Sequence, residues 1–86
     1  MTFNVSDSNQ LLCREMERLI QEAIPDSRAT VTGAGGHFQI AVEAAAFAGK
    51  SVVDQHRMVY GAVTHLMSGA EAPVHAIDSL KITVPA

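Results

Sequence analysis

The residues of this sequence best suited to metal or acid–base chemistry are its four histidines and its single cysteine: His37, His56, His65, His75 and Cys13. They form no Cys-x-x-Cys pair, no His-Glu-x-x-His motif and no nucleophile–base pattern. A closed zinc site normally takes four protein ligands and a catalytic zinc site takes three. If these histidines bind a metal, we therefore expect another molecule to supply the remaining ligands.

The five residues differ in their predicted surroundings. His56 lies on the apolar side of a predicted helix, where a core-boundary histidine is the simplest interpretation, and His65 lies on its polar side. Cys13 falls at the edge of an apolar helix face, which predicts a small half-buried side chain, with a redox or metal role as the alternative. His37 and His75 each begin a predicted strand, where each is either an ordinary exposed residue or a candidate ligand.

Length, composition and charge narrow the class of protein. The chain has 86 residues, of which 48% are hydrophobic, and this predicts one small ordered domain with a modest core. Its net charge of −3 argues against a broad phosphate-binding surface, although a local basic patch remains open. Residues 1–24 lack the basic start and apolar run of a signal peptide, and no apolar stretch is long enough to span a bilayer. These features predict a soluble protein of the cytoplasm.

Hydrophobic periodicity predicts five elements in the order α-β-β-α-β. The first helix follows the candidate N-caps Ser6, Asp7 and Ser8 and runs to Ile24, and the second runs from an N-cap at Ser51 to a glycine C-cap at Ser68-Gly69. The strands are predicted at residues 27–32, 37–44 and 75–84, with a turn at Gly33–Gly36 between the first two.

The side chains expected to form the core follow the same periodicity. Those of the first helix are Leu12, Met16, Leu19, Ile20 and Ala23, those of the second are Val52, Val59, Val63, Leu66 and Met67, and those of the central strand are Phe38, Ile40 and Val42. Both helices are expected to cover one face of a three-stranded mixed sheet, which is an α+β two-layer domain.

The order of elements also predicts where two histidines lie. The first two strands form an antiparallel hairpin, whereas the second and third are joined by a helix and should therefore run parallel. Parallel strands start at the same end of a sheet, so His37 and His75 are expected close together at that end, beside the glycine turn. We call this end of the sheet the rim. Their spacing in the sequence hides this proximity.

Four segments together resemble one known family. They are Gly35-Gly36-His37-Phe38-Gln39-Ile40, Phe47-Ala48-Gly49-Lys50-Ser51, Gln55-His56-Arg57-Met58-Val59-Tyr60-Gly61 and Val74-His75-Ala76-Ile77. Over nearly its full length the chain resembles the BolA-like family, and its His-Phe-Gln and Val-Tyr-Gly segments are similar to the bacterial branch typified by IbaG. The resemblance implies a fold like that of class II KH domains.

The resemblance also implies a function. BolA-like proteins pair with monothiol glutaredoxins to hold a bridged [2Fe-2S] cluster, in cluster assembly, trafficking or iron sensing rather than in catalysis. The histidine that matches His75 is a cluster ligand in that family, and glutaredoxin and glutathione thiolates bind the other iron. Alone, such a protein is expected to be a monomer or a weak homodimer.

Two departures from the family leave alternatives open. Many relatives supply a second ligand from the loop between the first two strands, but Gly33–Gly36 contains neither Cys nor His, so His37 is the nearest candidate. The strand after His75 is also one residue longer, at Asp78-Ser79.

Some relatives are described as DNA-binding regulators. The corresponding alternative here is a KH-like nucleic-acid-binding protein, and its candidate contact residues are Lys50, His56, Arg57 and Lys81. The same four residues are also candidates for contact with a protein partner.

Overall fold

The computed structural model describes residues 5–85 of the chain, and side chains from residue 8 onward. Two helices and three strands follow the predicted α-β-β-α-β order. They are α1 (Val5–Ala23), β1 (Arg28–Ala34), β2 (His37–Glu43), α2 (Val52–Val63) and β3 (Ala76–Thr83). Single 3₁₀ turns at Ala45–Phe47 and Thr64–Leu66 flank α2.

The sheet has the order β1-β2-β3, so β2 is its central strand. β1 pairs with β2 antiparallel from Arg28 opposite Glu43 to Ala34 opposite His37. β3 pairs with β2 parallel, with His37 opposite Ala76 at the start. The predicted mixed sheet is therefore confirmed, and β2 and β3 are immediate neighbours.

One hydrophobic core fills the space between the sheet and the helices. Phe38, Ile40 and Val42 are buried on one side of β2, as alternation predicts, while His37, Gln39 and Glu43 are exposed on the other. The remaining large buried side chains are Met16, Ile20, Ile24, Val31, Phe47, Val59, Val63 and Val74. The α+β two-layer architecture is confirmed, with one face of the sheet left open.

Polar side chains of α1 close the outer edge of β1. The carboxylate of Glu17 accepts a hydrogen bond from the Val31 N–H at 2.8 Å, and Gln21 Oε1 accepts one from the Ala29 N–H at 3.0 Å. Arg14 donates to the Val31 carbonyl at 3.2 Å. An edge strand otherwise presents unpaired N–H and C=O groups to other chains. These hydrogen bonds therefore attach α1 to β1 and prevent β1 from pairing with a strand of another chain.

Several predicted details of α1 are wrong. α1 includes Ser6, Asp7 and Ser8, which were predicted to precede it as N-caps. Short polar residues such as Ser and Asp are favourable in the first turn as well as at the cap, because both positions lie near free N–H groups, so their presence does not fix the first residue of the helix. Ala23 is exposed near the end of the helix, and Cys13 is buried rather than half-buried.

The predicted start of α2 is confirmed and its predicted end is not. The Ser51 hydroxyl accepts a hydrogen bond from the Asp54 N–H at 3.1 Å, as expected of an N-cap. The α-helix ends at Val63 and tightens into a 3₁₀ turn, so Gly69, with φ of 94°, lies beyond it rather than at its C-cap. Val52, predicted in the core, is the first residue of α2 and is 65% exposed.

The hairpin turn is shorter than predicted. β1 continues to Ala34, which pairs with His37, so Gly35 and Gly36 alone form the turn. Both have positive φ angles, of 65° and 82°. Two successive residues of this kind match the twist of the flanking strands and favour glycine. In the part of the chain that the structure describes, no helix has the length and apolar character needed to cross a membrane.

Two valines of α2 provide a matched test of this packing. Val59 is fully buried and Val52 is 65% exposed on the same helix. We expect Val59→Ala to lower the free energy of unfolding by about 2 kcal/mol, since it removes two buried methyl groups and leaves a cavity. Val52→Ala should change it by less than about 0.5 kcal/mol. Urea unfolding measures both, and equal effects would contradict the orientation of α2.

Candidate functional site

The candidate site lies at the end of the sheet where β2 and β3 begin. The carbonyl oxygen of Gly36 accepts hydrogen bonds from the backbone N–H groups of both His75 and Ala76, at 2.8 and 3.0 Å. His37, the next residue after Gly36, is paired with Ala76. The prediction that His37 and His75 share one rim beside the glycine turn is therefore confirmed.

The imidazole of His75 packs against Gly36. A methyl group added at Gly36 would overlap this ring, with the His75 Cγ only 2.9 Å from the added carbon. Position 36 thus requires glycine for two reasons: its φ is 82°, and the ring of His75 occupies the space that a side chain would need. His75 itself is exposed to solvent, so the contact orients the ring on the rim without burying it.

The imidazole of His37 has a different neighbour. Its Nδ1 lies 3.2 Å from Oδ1 of Asp78. Asp78 reaches this position because β3 contains a β-bulge: Phe38 pairs with Ile77 and Gln39 with Ser79, which leaves Asp78 without a partner residue on β2. The bulge is at Asp78-Ser79, where the resemblance to the family predicts one extra residue.

Both histidines are exposed and can offer a ring nitrogen to a metal ion bound outside the chain. A neutral imidazole has one nitrogen with a free lone pair, which is a common metal ligand. Within residues 5–85, however, no group of three or more His, Cys, Asp or Glu side chains is placed to hold a metal ion. The rim thus offers histidine ligands without a complete coordination set in this part of the chain.

The other residues suited to metal or acid–base chemistry have different neighbours. The ring of His56 is half-buried and tilted 49° against Tyr60, with 6.5 Å between the ring centres. His65 is exposed in the 3₁₀ turn after α2.

Burial raises the pKa of the Cys13 thiol. The positive charge of Arg14 partly opposes this shift, and the negative charge of Glu17 adds to it. A raised pKa keeps this thiol protonated at neutral pH and makes it a poor nucleophile or metal ligand.

The predicted basic contact residues do not form one surface. Lys50 precedes α2 and Arg57 lies on it, with Nη1 3.7 Å from the Asp54 carboxylate. Lys81 pairs with Ala41 on the open face of the sheet, opposite the helices. There it lines a shallow groove of about 220 Å³ with Arg28, a basic residue that sequence reasoning did not identify.

Two contact partners of the rim histidines, Gly36 and Asp78, were not identified from the sequence. Neither the contact of Gly36 with His75 nor the pairing of Asp78 with His37 follows from sequence spacing alone. The extra residue at Asp78-Ser79, between Ile77 and Leu80, was the signal for the bulge.

The two turn glycines allow the His75 contact to be tested separately from backbone strain. We expect Gly35→Ala and Gly36→Ala each to destabilise the protein by at least about 1 kcal/mol, because both positions have positive φ. Only the methyl group at Gly36 meets another residue. The NMR signals of the His75 ring should therefore shift in Gly36→Ala and stay unchanged in Gly35→Ala, and an unmoved His75 signal in Gly36→Ala would disprove the contact.

Comparisons with known proteins agree with this architecture. The family model described as BolA-like protein matches residues 15–85. Among curated proteins, none matches the sequence.

Solved structures of BolA proteins have the same fold. A BolA protein homologue from Coxiella burnetii is 27% identical, with a TM-score of 0.66 over 98% of this chain and 94% of that one. BolA1 from Arabidopsis thaliana is 19% identical, with a TM-score of 0.70 over 85% and 90%. The BolA domain of SufE1 from Arabidopsis thaliana is 18% identical, with a TM-score of 0.65 over 86% and 92%.

The last two structures show similarity of fold alone, whereas the family match covers most of the sequence, including both rim histidines. The mixed three-stranded sheet with two helices on one face is the architecture of these proteins and is consistent with a class II KH-like description. The chain therefore belongs to the BolA-like family.

Proposed function

We propose that this chain is a non-enzymatic adaptor that pairs with a monothiol glutaredoxin and shares a bridged [2Fe-2S] cluster with it. The observation that carries the proposal is the placement of His75. Its backbone N–H is bonded to Gly36, its ring packs on the same glycine, and the side chain remains exposed at the sheet rim. A ligand held in this way is available to a second protein without rearrangement of the fold.

The incomplete ligand set supports a shared cluster over an internal metal site. The rim has two exposed imidazoles and, among the described residues, no converging third ligand. A [2Fe-2S] cluster bound by two proteins needs only one or two ligands from each. In the proposed complex His75 binds one iron, His37 is the candidate second ligand, and thiolates of glutaredoxin and glutathione bind the other iron.

Histidine ligands are suited to a cluster that is transferred to another protein. Imidazole is neutral where thiolate is anionic, and replacing thiolates with histidines on one iron raises the reduction potential. The rim is also at the surface, so a recipient protein can approach the ligands. We propose a role in assembly or trafficking of iron–sulfur clusters, or in iron sensing, and we propose the cytoplasm as its location.

The ligand role of His75 is tested by reconstitution with a monothiol glutaredoxin, glutathione, iron and sulfide. We expect the wild-type mixture to form a heterodimer with the visible absorption of a [2Fe-2S] cluster. His75→Ala should lose that spectrum or change it strongly, because a ligand is removed. The matched control is His65→Ala, which removes an exposed histidine of the 3₁₀ turn after α2, a residue whose charge acts on Glu15 of α1, and it should leave the spectrum unchanged. An unchanged spectrum in His75→Ala would rule out the assignment.

The alternative of a nucleic-acid-binding regulator has less support from the distribution of charge. Lys50 and Arg57 lie on the helix side of the domain, whereas Lys81 and Arg28 lie on the open sheet face, with Glu43 in the same groove. A phosphate backbone would have to contact both faces to reach all four cations. The net charge of −3 adds a general repulsion.

Gel shifts separate the two functions. We expect no complex with DNA or RNA even at low salt, because no continuous basic surface is present in the described residues. Binding that weakens steeply as salt is added would instead show phosphate contacts and would support the regulator. Substituting Lys81 and Lys50 singly by Ala would then identify the face that is used.

A further inference from the structure

A second feature of the rim is the acidic side chain that the β3 bulge places beside His37. Ile77 lies on the helix side of β3 opposite Phe38, and Ser79 lies on the open side opposite Gln39. The extra residue between them leaves Leu80 and Ile82 on the helix side, where both pack against the core. The bulge therefore adds Asp78 to the open face, while the apolar side chains before and after it all remain on the helix side.

The geometry of the pair assigns roles to the two nitrogens of His37. Asp78 Oδ1 lies 3.2 Å from Nδ1, and an ionised carboxylate can only accept a hydrogen bond. A neutral His37 ring bonded in this way carries its proton on Nδ1. Its lone pair is then on Nε2, the ring nitrogen that Asp78 does not engage.

This arrangement is the one found around histidine ligands of metals. Such histidines usually donate the N–H that does not face the metal to a carboxylate or carbonyl, which fixes the tautomer and the ring orientation. We propose that Asp78 is a positioning residue that holds His37 with Nε2 free, so that His37 serves as the second histidine ligand on the rim. The ligand part of this inference rests on the proposed function.

The pair is not explained by a contribution to stability. The side chains of His37 and Asp78 are 59% and 52% exposed. Exposed ion pairs contribute little to folding because water screens the charges and ordering the side chains costs entropy. Orientation of the ring is the property to measure, since a surface pair without a role in positioning would leave the tautomer of His37 unchanged when Asp78 is replaced.

The first test uses the free protein, so it does not depend on any cluster. Long-range ¹H–¹⁵N spectra distinguish the two neutral tautomers of each histidine. We expect His37 to be mainly the Nδ1–H form in the wild type and to shift toward the Nε2–H form in Asp78→Ala. The matched control is Ser79→Ala, at the neighbouring bulge position, which should behave as the wild type does. A wild-type His37 in the Nε2–H form, or one unaffected by Asp78→Ala, would overturn the proposal.

The second test uses the reconstituted complex with glutaredoxin. We expect Asp78→Ala to speed the loss of the cluster about tenfold, in the range known for residues that orient metal ligands. His37→Ala should have at least this effect, and Ser79→Ala none. Pulsed EPR of the reduced cluster, with ¹⁵N-labelled histidine in this chain, should show one fewer coupled nitrogen in His37→Ala than in the wild type.

The outcomes separate this inference from the proposed function. If the cluster forms and requires His75 but its nitrogen couplings are the same in His37→Ala, then His37 is not a ligand and the inference fails while the proposed function stands. If the wild-type mixture forms no cluster, the proposed function fails and the ligand role of His37 fails with it. Loss or weakening of the cluster in each of the three variants His75→Ala, His37→Ala and Asp78→Ala would support both.

Discussion

The rim depends on a single backbone acceptor, the carbonyl oxygen of Gly36. It receives the N–H groups of both His75 and Ala76 and so joins the end of the β1–β2 turn to the first residues of β3. These two hydrogen bonds fix where the parallel pairing of β2 and β3 starts. Because Gly36 has no side chain, the ring of His75 can occupy the space beside it. The same residue thus sets the backbone register and the position of the candidate ligand.

The remainder of the domain keeps this junction in place. α2 carries the chain from the far end of β2 back to the rim, and its buried Val59 and Val63 attach it to the core beneath the sheet. α1 completes the helical layer and satisfies the outward N–H groups of β1 through Glu17 and Gln21. The two rim histidines consequently project from a packed sheet, where they can meet a partner with little loss of conformational entropy.

The sequence predicted the elements and the common rim because these follow from periodicity and connectivity. Alternation along Phe38, Ile40 and Val42 identified the buried face of β2, and the helix between β2 and β3 required parallel strands. The burial of Val52 was predicted wrongly because periodicity defines the apolar side of a helix but not how far the sheet extends along it.

The pairing of Asp78 with His37 was beyond sequence reasoning for a related reason. Their separation of 41 positions gives no local signal, and their contact depends on a one-residue bulge in strand register. The spacing of Ile77, Leu80 and Ile82 departs from strict alternation by one residue, but this spacing does not show which side chain the bulge places beside His37. The contact between Gly36 and His75 likewise depends on the exact approach of two backbones, which residue types alone do not specify.

The proposed adaptor presents histidine ligands at the rim and requires a second protein to complete the coordination of the cluster. Native mass spectrometry of the reconstituted wild-type mixture shows whether the cluster bridges this chain and a glutaredoxin. We expect one copy of this chain, one glutaredoxin, glutathione, two irons and two sulfides in a single complex. A cluster found only in glutaredoxin homodimers, with this chain free in the same sample, would contradict the account.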